Sequence, residues 1–229
     1  MLAEDNSKNK KQLPDIKVNR KQIILTILHS IKSSIPNFKS YITTNIQSSK
    51  LNEDELTQIL VEQIEIQIRK SDFPFSVNSQ YRDIYEDSAG ISDFYFHPIE
   101  EGKSTESIFS VESKRLPAPT KDREKEYVIG TINKNTGKER RNGGIERYKL
   151  EIHGKGLPEC GLIGFIENED YIHWKSTINK WIIDLATKAT LWKEDEILTE
   201  KEQEKDYIYL LSAAHTIRSR QLLLHHIWV

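Results

Sequence analysis

Two short stretches decide how this sequence folds. Residues 90–96 read Gly-Ile-Ser-Asp-Phe-Tyr-Phe, and residues 107–114 read Ser-Ile-Phe-Ser-Val-Glu-Ser-Lys. Both stretches are rich in aromatic and β-branched side chains and alternate in polarity, which is typical of β-strands. The polar segment 98–104 between them predicts a turn. The pattern therefore predicts two neighbouring antiparallel strands.

This predicted hairpin brings three charged side chains together. If the strands pair, Asp93 lies beside Glu112, and Glu112 and Lys114 share a face because residues i and i+2 of a strand point the same way. Two carboxylates suit a hard cation such as Mg²⁺ or Mn²⁺, which can act as a Lewis acid on a phosphodiester, and the lysine can orient or deprotonate the attacking water. The alternative interpretation is an ordinary surface charge pair. Against it, both acids lie inside apolar segments, where neighbouring carboxylates are unfavourable unless a cation compensates them.

A family resemblance follows from these residues. Residues 90–93 together with 109–116, which end in Glu-Ser-Lys-Arg-Leu, resemble the active-site hairpin of the PD-(D/E)xK nuclease superfamily, which has the restriction-endonuclease-like fold. The resemblance extends from about Asn52 to the end of the chain. Over this length the chain is similar to nuclease subunits of bacterial phage-defence and restriction systems. Ser92 stands where the family name has proline.

The resemblance carries its own expectations. It implies an α/β (α+β) fold with a restriction-endonuclease-like core, in which helices flank a mixed central sheet. It implies a Mg²⁺-dependent (or Mn²⁺-dependent) endonuclease that hydrolyses phosphodiester bonds of DNA, with RNA as the alternative substrate, in anti-phage defence. By position, Asp93 and Glu112 match the metal ligands and Lys114 the catalytic lysine. The family's additional helix acid is predicted to be Glu55 rather than Glu62.

Outside the hairpin, hydrophobic periodicity predicts the other elements. A first helix is expected over residues 20–35, ended by Pro36, and Asn52 with Glu55 has the spacing of a capping box that opens a second helix. The chain then divides into a flexible arm with an N-terminal helical extension (1–50) and a nuclease-like domain (51–229). Further helices are predicted over 121–132, 144–153 and 171–188, and further strands over 160–166, 207–214 and 222–229.

Charge is unevenly distributed along the chain. The net charge of -2 argues against nucleic-acid binding by bulk positive charge. However, residues 51–113 contain fourteen acids and four bases, whereas residues 114–155 contain twelve bases and six acids. The basic segment predicts phosphate contacts from side chains and from backbone amides at the Gly143–Gly144 turn, although a solvated helix face would also explain it. The predicted nucleic-acid-binding residues are Arg115, Arg141, Arg147 and Lys149.

Composition also bears on location and partners. A single cysteine, Cys160, excludes an internal disulfide and a cysteine-rich zinc site, so a reducing compartment is expected. No apolar stretch reaches the ~18 residues of a membrane span, so a cytoplasmic protein without membrane contact is predicted. A nuclease needs restraint, which predicts a regulatory protein partner or homo-oligomer that contacts the helix over residues 20–35. The alternative function is a catalytically restrained nucleic-acid-binding or structural subunit of a larger defence complex.

Overall fold

The chain folds around one large β-sheet with helices on both faces. A computed structural model describes residues 19–46, 51–82, 90–99, 106–132, 136–137 and 139–229. The helices in these ranges are α1 (Arg20–Asn45), α2 (Glu53–Ser71), α3 (Gly144–Lys149) and α4 (Tyr171–Ala186), with 3₁₀ turns at Lys121–Arg123 and Glu194–Glu196. The strands are β1 (Phe75–Arg82), β2 (Ile91–Pro98), β3 (Phe109–Leu116), β4 (Thr131–Ile132), β5 (Glu139–Arg140), β6 (Glu159–Ile166), β7 (Thr199–Gln203), β8 (Ile208–His215) and β9 (Gln221–Trp228).

Seven of these strands form a mixed sheet in the order β1-β2-β3-β6-β9-β8-β7, and β4 pairs with β5 separately. The first three strands form an antiparallel meander, β3, β6 and β9 run parallel, and β8 and β7 are antiparallel to their neighbours. The protein is therefore α+β, with a mixed sheet flanked by helices. The antiparallel pairing of the β2–β3 hairpin confirms the sequence prediction.

Helix α1 is longer than predicted, because it continues through Pro36 to Asn45. A proline inside a helix removes one backbone hydrogen bond and costs about 3 kcal/mol. The apolar stripe nevertheless continues beyond it, with Phe38 and Ile42 both buried, and this burial offsets the loss. The prediction that this helix ends at Pro36 is therefore wrong.

The sheet separates two hydrophobic clusters. On one face, the apolar stripes of α1 and α2 pack against side chains such as Phe94, Val111 and Phe165. On the other face, Leu162 and Trp228 pack among side chains from α3, α4 and the segment that follows β3. Helix α1 thus shares one core with α2 and the sheet, so its apolar stripe is occupied within the chain.

Most other predicted elements are present with shifted bounds. The capping box predicted for α2 is confirmed, since Asn52 and Glu55 each accept a hydrogen bond from the other's backbone amide. Residues 121–132 hold a 3₁₀ turn and a short strand instead of the predicted helix, and the predicted helix over 144–153 ends at Lys149. Strands β1 and β7, at the two edges of the sheet, were not predicted. In the described part of the chain, no helix is long and apolar enough to cross a membrane.

Candidate active site

The candidate site begins where β2 and β3 separate. Their ladder pairs Phe94 with Val111, and Asp93 follows at the next position, in line with Glu112. Instead of continuing the ladder, the Asp93 carboxylate accepts a hydrogen bond from the backbone amide of Ser113 through Oδ2 at 2.7 Å. The side chain of Asp93 is therefore fixed to the strand that carries Glu112 and Lys114, as the sequence predicted.

Lys114 lies at the centre of the acidic groups. Its Nζ donates to Glu112 Oε1 at 2.9 Å and to Glu53 Oε1 at 3.1 Å, and it also contacts the carbonyl oxygen of Ser113 at 2.8 Å. The Glu112 side chain is fully buried, and that of Lys114 is only 7 % exposed. One ammonium group therefore bridges carboxylates from β3 and from α2.

The acid of α2 that contacts this cluster is Glu53, and not Glu55 as the sequence predicted. Glu53 Oε2 also accepts a hydrogen bond from the Arg115 amide at 3.0 Å, which joins the first turn of α2 to β3. Glu55 is unavailable because its carboxylate caps its own helix through the amide of Asn52. Glu62, the other acid considered, lies on α2 and accepts a hydrogen bond from Gln58.

Helix α3 and the residues after it add two further groups around Glu112. Arg147 Nη1 contacts Glu112 Oε1, and His153 Nδ1 lies 2.9 Å from Glu112 Oε2. Two glycines permit this approach. A Cβ at Gly144 would lie 2.9 Å from Leu162 and 3.4 Å from the Lys114 side chain, and a Cβ at Gly90 would lie 2.3 Å from the His153 ring. His153 has no signal in the sequence.

Lys149 does not belong to the predicted phosphate-binding surface. Its side chain is fully buried, forms an ion pair with Glu196, and places Nζ 4.8 Å from the centre of the Trp192 ring. Burial lowers the pKa of Lys149, although the Glu196 carboxylate opposes this effect. The prediction for Lys149 is wrong because the helix turns this residue toward the core, away from Arg147.

The other predicted nucleic-acid-binding residues are more accessible. Arg141 is exposed, and its carbonyl accepts a hydrogen bond from Arg147 Nε at 3.3 Å. Arg115 is partly exposed and forms a two-pronged ion pair with Glu167. The Gly144 amide, by contrast, donates to the carbonyl of Glu126. Since the amides of the next two residues are paired in the same way, the start of α3 does not present them to a phosphate.

The electrostatics of the two hairpin acids differ. Burial and the nearby charge of Glu112 raise the pKa of Asp93 to about 7. Burial alone would also raise the pKa of Glu112, but Lys114, His153 and Arg147 outweigh it and lower that pKa to about 2. The surrounding carboxylates, Glu112 first, raise the pKa of Lys114 despite its burial. Glu112 is therefore well compensated, and Asp93 is not.

Two features agree with a cation at this place. Glu112 Oε2 is buried and has no aligned hydrogen-bond donor in the described ranges, because His153 is close but out of line. The three carboxylates of Glu53, Asp93 and Glu112 also offer oxygen atoms alone, which Mg²⁺ and Mn²⁺ prefer. As the side chains stand, with Lys114 and Arg147 between them, no group of three or more His, Cys, Asp or Glu in the described residues is arranged to hold a metal ion. That Asp93 and Glu112 bind Mg²⁺ or Mn²⁺ therefore stays a prediction.

Comparison with known proteins gives no family for this chain. No family model, no curated protein and no solved structure matches it. The site must therefore be interpreted from its own geometry.

Proposed function

We propose that this protein is a metal-dependent nuclease with a restriction-endonuclease-like core. The observation that carries the proposal is the position of Lys114 Nζ, which lies within hydrogen-bonding distance of both Glu112 and Glu53 at the end of the strand to which Asp93 is tied. Here three carboxylates converge, an arrangement that costs stability unless a cation joins them.

The order of the elements supports this proposal. An α-helix, three antiparallel strands, a second helix and a strand parallel to the third correspond to α2, β1, β2, β3, α3 and β6. This is the core order that the family resemblance implies. The role in anti-phage defence, the preference for DNA over RNA and the cytoplasmic location rest on the resemblance and on composition.

Each side chain has a role in this proposal. Asp93 and Glu112 would hold a divalent cation, with Glu53 as an additional acid, and such an ion stabilises negative charge on a phosphate and on an attacking water. The surrounding carboxylates keep Lys114 protonated at neutral pH, so it would donate hydrogen bonds to the water or the phosphate rather than remove a proton. Arg141 and Arg147 would contact phosphates on either side of the cleaved bond.

Cleavage of plasmid DNA and of single-stranded RNA tests the proposal. The wild-type protein should cleave at least one of these substrates with Mg²⁺ or Mn²⁺ and neither with EDTA. Lys114→Ala should reduce the rate by at least about a hundredfold, as is typical when one preorganised donor is lost. Lys180→Ala is the matched control, since it removes an exposed lysine on α4. Cleavage that survives Lys114→Ala would refute the mechanism.

A second function has one observation in its favour. Both Lys114 and Arg147 contact the same oxygen of Glu112, so the carboxylate is already neutralised by protein cations. This arrangement would suit a catalytically restrained subunit that binds nucleic acid and acts through a partner. It predicts nucleic-acid binding without cleavage under every metal condition tested.

A regulatory partner remains part of either proposal, but the surface of α1 that it would contact differs from the predicted one. The apolar stripe of α1 is buried in the core, so a partner or second copy would meet the outer face of this helix. Leu25 and Tyr41, which are 50 % and 41 % exposed, are large apolar side chains that α1 leaves accessible, one on each flank of its buried stripe. Leu25→Ser and Tyr41→Ser should weaken association, as measured by size-exclusion chromatography, and unchanged association would rule out this face.

A further inference from the structure

Arg147 is placed differently from the other cation of the site. Lys114 is held by two carboxylates and a carbonyl and is almost completely buried, whereas the side chain of Arg147 is 25 % exposed. Besides its ion pair with Glu112, Arg147 donates a 3.3 Å hydrogen bond from Nε to the carbonyl of Arg141. The guanidinium group therefore lies at the mouth of the site, between the fully buried Glu112 and solvent.

The charge balance of the site indicates that a divalent ion would displace Arg147, and not Lys114, from Glu112. Three carboxylates, those of Glu53, Asp93 and Glu112, face two permanent cations, Lys114 and Arg147. An added divalent ion would give the site more positive than negative charge. Lys114 has two carboxylate partners and little exposure, so Arg147 would be the group that leaves Glu112.

We propose that Arg147 exchanges partners: it neutralises Glu112 in the metal-free protein and is released to a substrate phosphate when a divalent ion takes its place. This inference rests on the proposed function. It makes Arg147 a positioning residue for Glu112 in one state and a phosphate-binding residue in the other. Arg147 and the metal ion then compete for the same carboxylate oxygen. The contact between Arg147 and a substrate phosphate therefore forms only in the metal-bound protein.

Calorimetric titration with Mn²⁺ alone tests the competition without any substrate. Arg147→Met removes the competitor and keeps most of its volume, so the variant should bind Mn²⁺ about tenfold more tightly than wild type, the size expected for one hydrogen bond to a charged group. If Arg147 instead serves only to hold Glu112 in place, the variant should bind Mn²⁺ more weakly. Arg147→Gln, which keeps a donor but loses the charge, should lie between wild type and Arg147→Met.

A control separates direct competition from the general loss of positive charge. Arg140→Met removes an exposed arginine of β5, close to Arg147 in the chain, and should leave Mn²⁺ affinity within about twofold. An equal gain from Arg140→Met would overturn direct competition. Unchanged or weaker Mn²⁺ binding by Arg147→Met would overturn the exchange alone, whereas absence of Mn²⁺ binding and cleavage in the wild type would overturn the proposed function as well.

The second half of the exchange has its own readout. Binding of an oligonucleotide is measured against salt concentration in Ca²⁺, a hard divalent ion for the same carboxylate oxygens, and in EDTA. In Ca²⁺, Arg147→Met should reduce the slope of log affinity against log salt by about one phosphate contact. In EDTA the wild type and Arg147→Met should have the same slope, because Arg147 of the wild type is paired with Glu112 and does not contact a phosphate. A slope difference of equal size in both conditions would overturn the exchange.

Discussion

Two buried glutamates, Glu112 and Glu196, pair with a lysine in this protein, yet they are surrounded in opposite ways. Helix α3 serves both, since Arg147 reaches Glu112 and Lys149 reaches Glu196. The Glu196 carboxylate also accepts hydrogen bonds from the backbone amides of His215 at 2.6 Å and Lys193 at 3.0 Å. Each of its oxygens has a partner, and in the part of the chain that the structure describes no other carboxylate forms an ion pair with Lys149.

Glu112 is compensated in charge, but its hydrogen bonds are less complete than those of Glu196. One of its oxygens holds two cations while the other has no aligned donor, and its lysine is shared with Glu53. Asp93 adds a further carboxylate that is poorly compensated. A saturated buried pair contributes to one well-defined structure, whereas an unsaturated one costs stability and is retained where function needs it. We therefore propose that the Glu196 cluster is structural and the Glu112 cluster is functional.

The largest effect is expected from breaking the structural pair. Lys149→Met leaves the charge of Glu196 buried with fewer partners, so the free energy of unfolding should fall by about 3–5 kcal/mol in urea titrations. Lys149→Met combined with Glu196→Gln should recover part of this loss because the unpaired charge is gone. Lys193→Met, which changes an exposed side chain near the same glutamate, should cost less than about 0.5 kcal/mol. A Lys149→Met protein as stable as wild type would contradict the structural assignment.

His226 is a third buried titratable group, and its hydrogen-bond partners are neutral, so its effect on stability should depend on pH. Trp228 donates to the Tyr127 hydroxyl, which is hydrogen-bonded to His226 Nδ1, and His226 Nε2 is hydrogen-bonded to the Ser212 hydroxyl. Burial lowers the pKa of His226 from 6.5 to about 3. Below pH 6.5 the unfolded chain binds a proton that the folded chain does not, so stability falls as pH falls toward 3.

The size of this effect follows from the same shift. The wild-type free energy of unfolding should lose about 2 kcal/mol from this group between pH 7.5 and pH 5. His226→Asn stays neutral, and its stability should change less over the same interval, as measured by urea titration at both pH values. Equal pH dependence in the two proteins would show that His226 is not held neutral.

The smallest predicted effect distinguishes the two acids at the start of α2. Glu53→Gln removes a charge that contacts Lys114, so cleavage should slow by about tenfold, or ~1.4 kcal/mol of transition-state stabilisation. Glu55→Gln is the matched control, because glutamine also closes a capping box. Its cleavage rate and stability should equal those of wild type. A larger loss of cleavage from Glu55→Gln would restore the original sequence prediction.

Sequence alone predicted the parts of the site that lie on one regular element. Strand alternation placed Glu112 and Lys114 on the same face, and hairpin pairing placed Asp93 beside them. The error at Glu55 had a visible cause, since the Asn52–Glu55 spacing that predicted the helix start also engages the Glu55 carboxylate.

The other errors concern contacts between elements that are distant in the chain. Arg147 and Lys149 are two residues apart on a short helix, and only the packing of α3 between β3 and the Glu196 turn decides which one reaches the site. The continuation of α1 past Pro36 likewise depends on burial against α2 and the sheet, because local propensity favours an end there. Tertiary burial, which no local pattern contains, decided both cases.

Asp93 gives the most direct test of the functional assignment. Asp93→Asn can still accept the hydrogen bond of the Ser113 amide but removes the uncompensated charge, so at pH 8 in EDTA the variant should be about 1–2 kcal/mol more stable than wild type. The decisive measurement is its cleavage rate with Mg²⁺ or Mn²⁺ on a preparation shown to be folded. The account predicts a loss of at least about a hundredfold despite the gain in stability. Cleavage at the wild-type rate would contradict it.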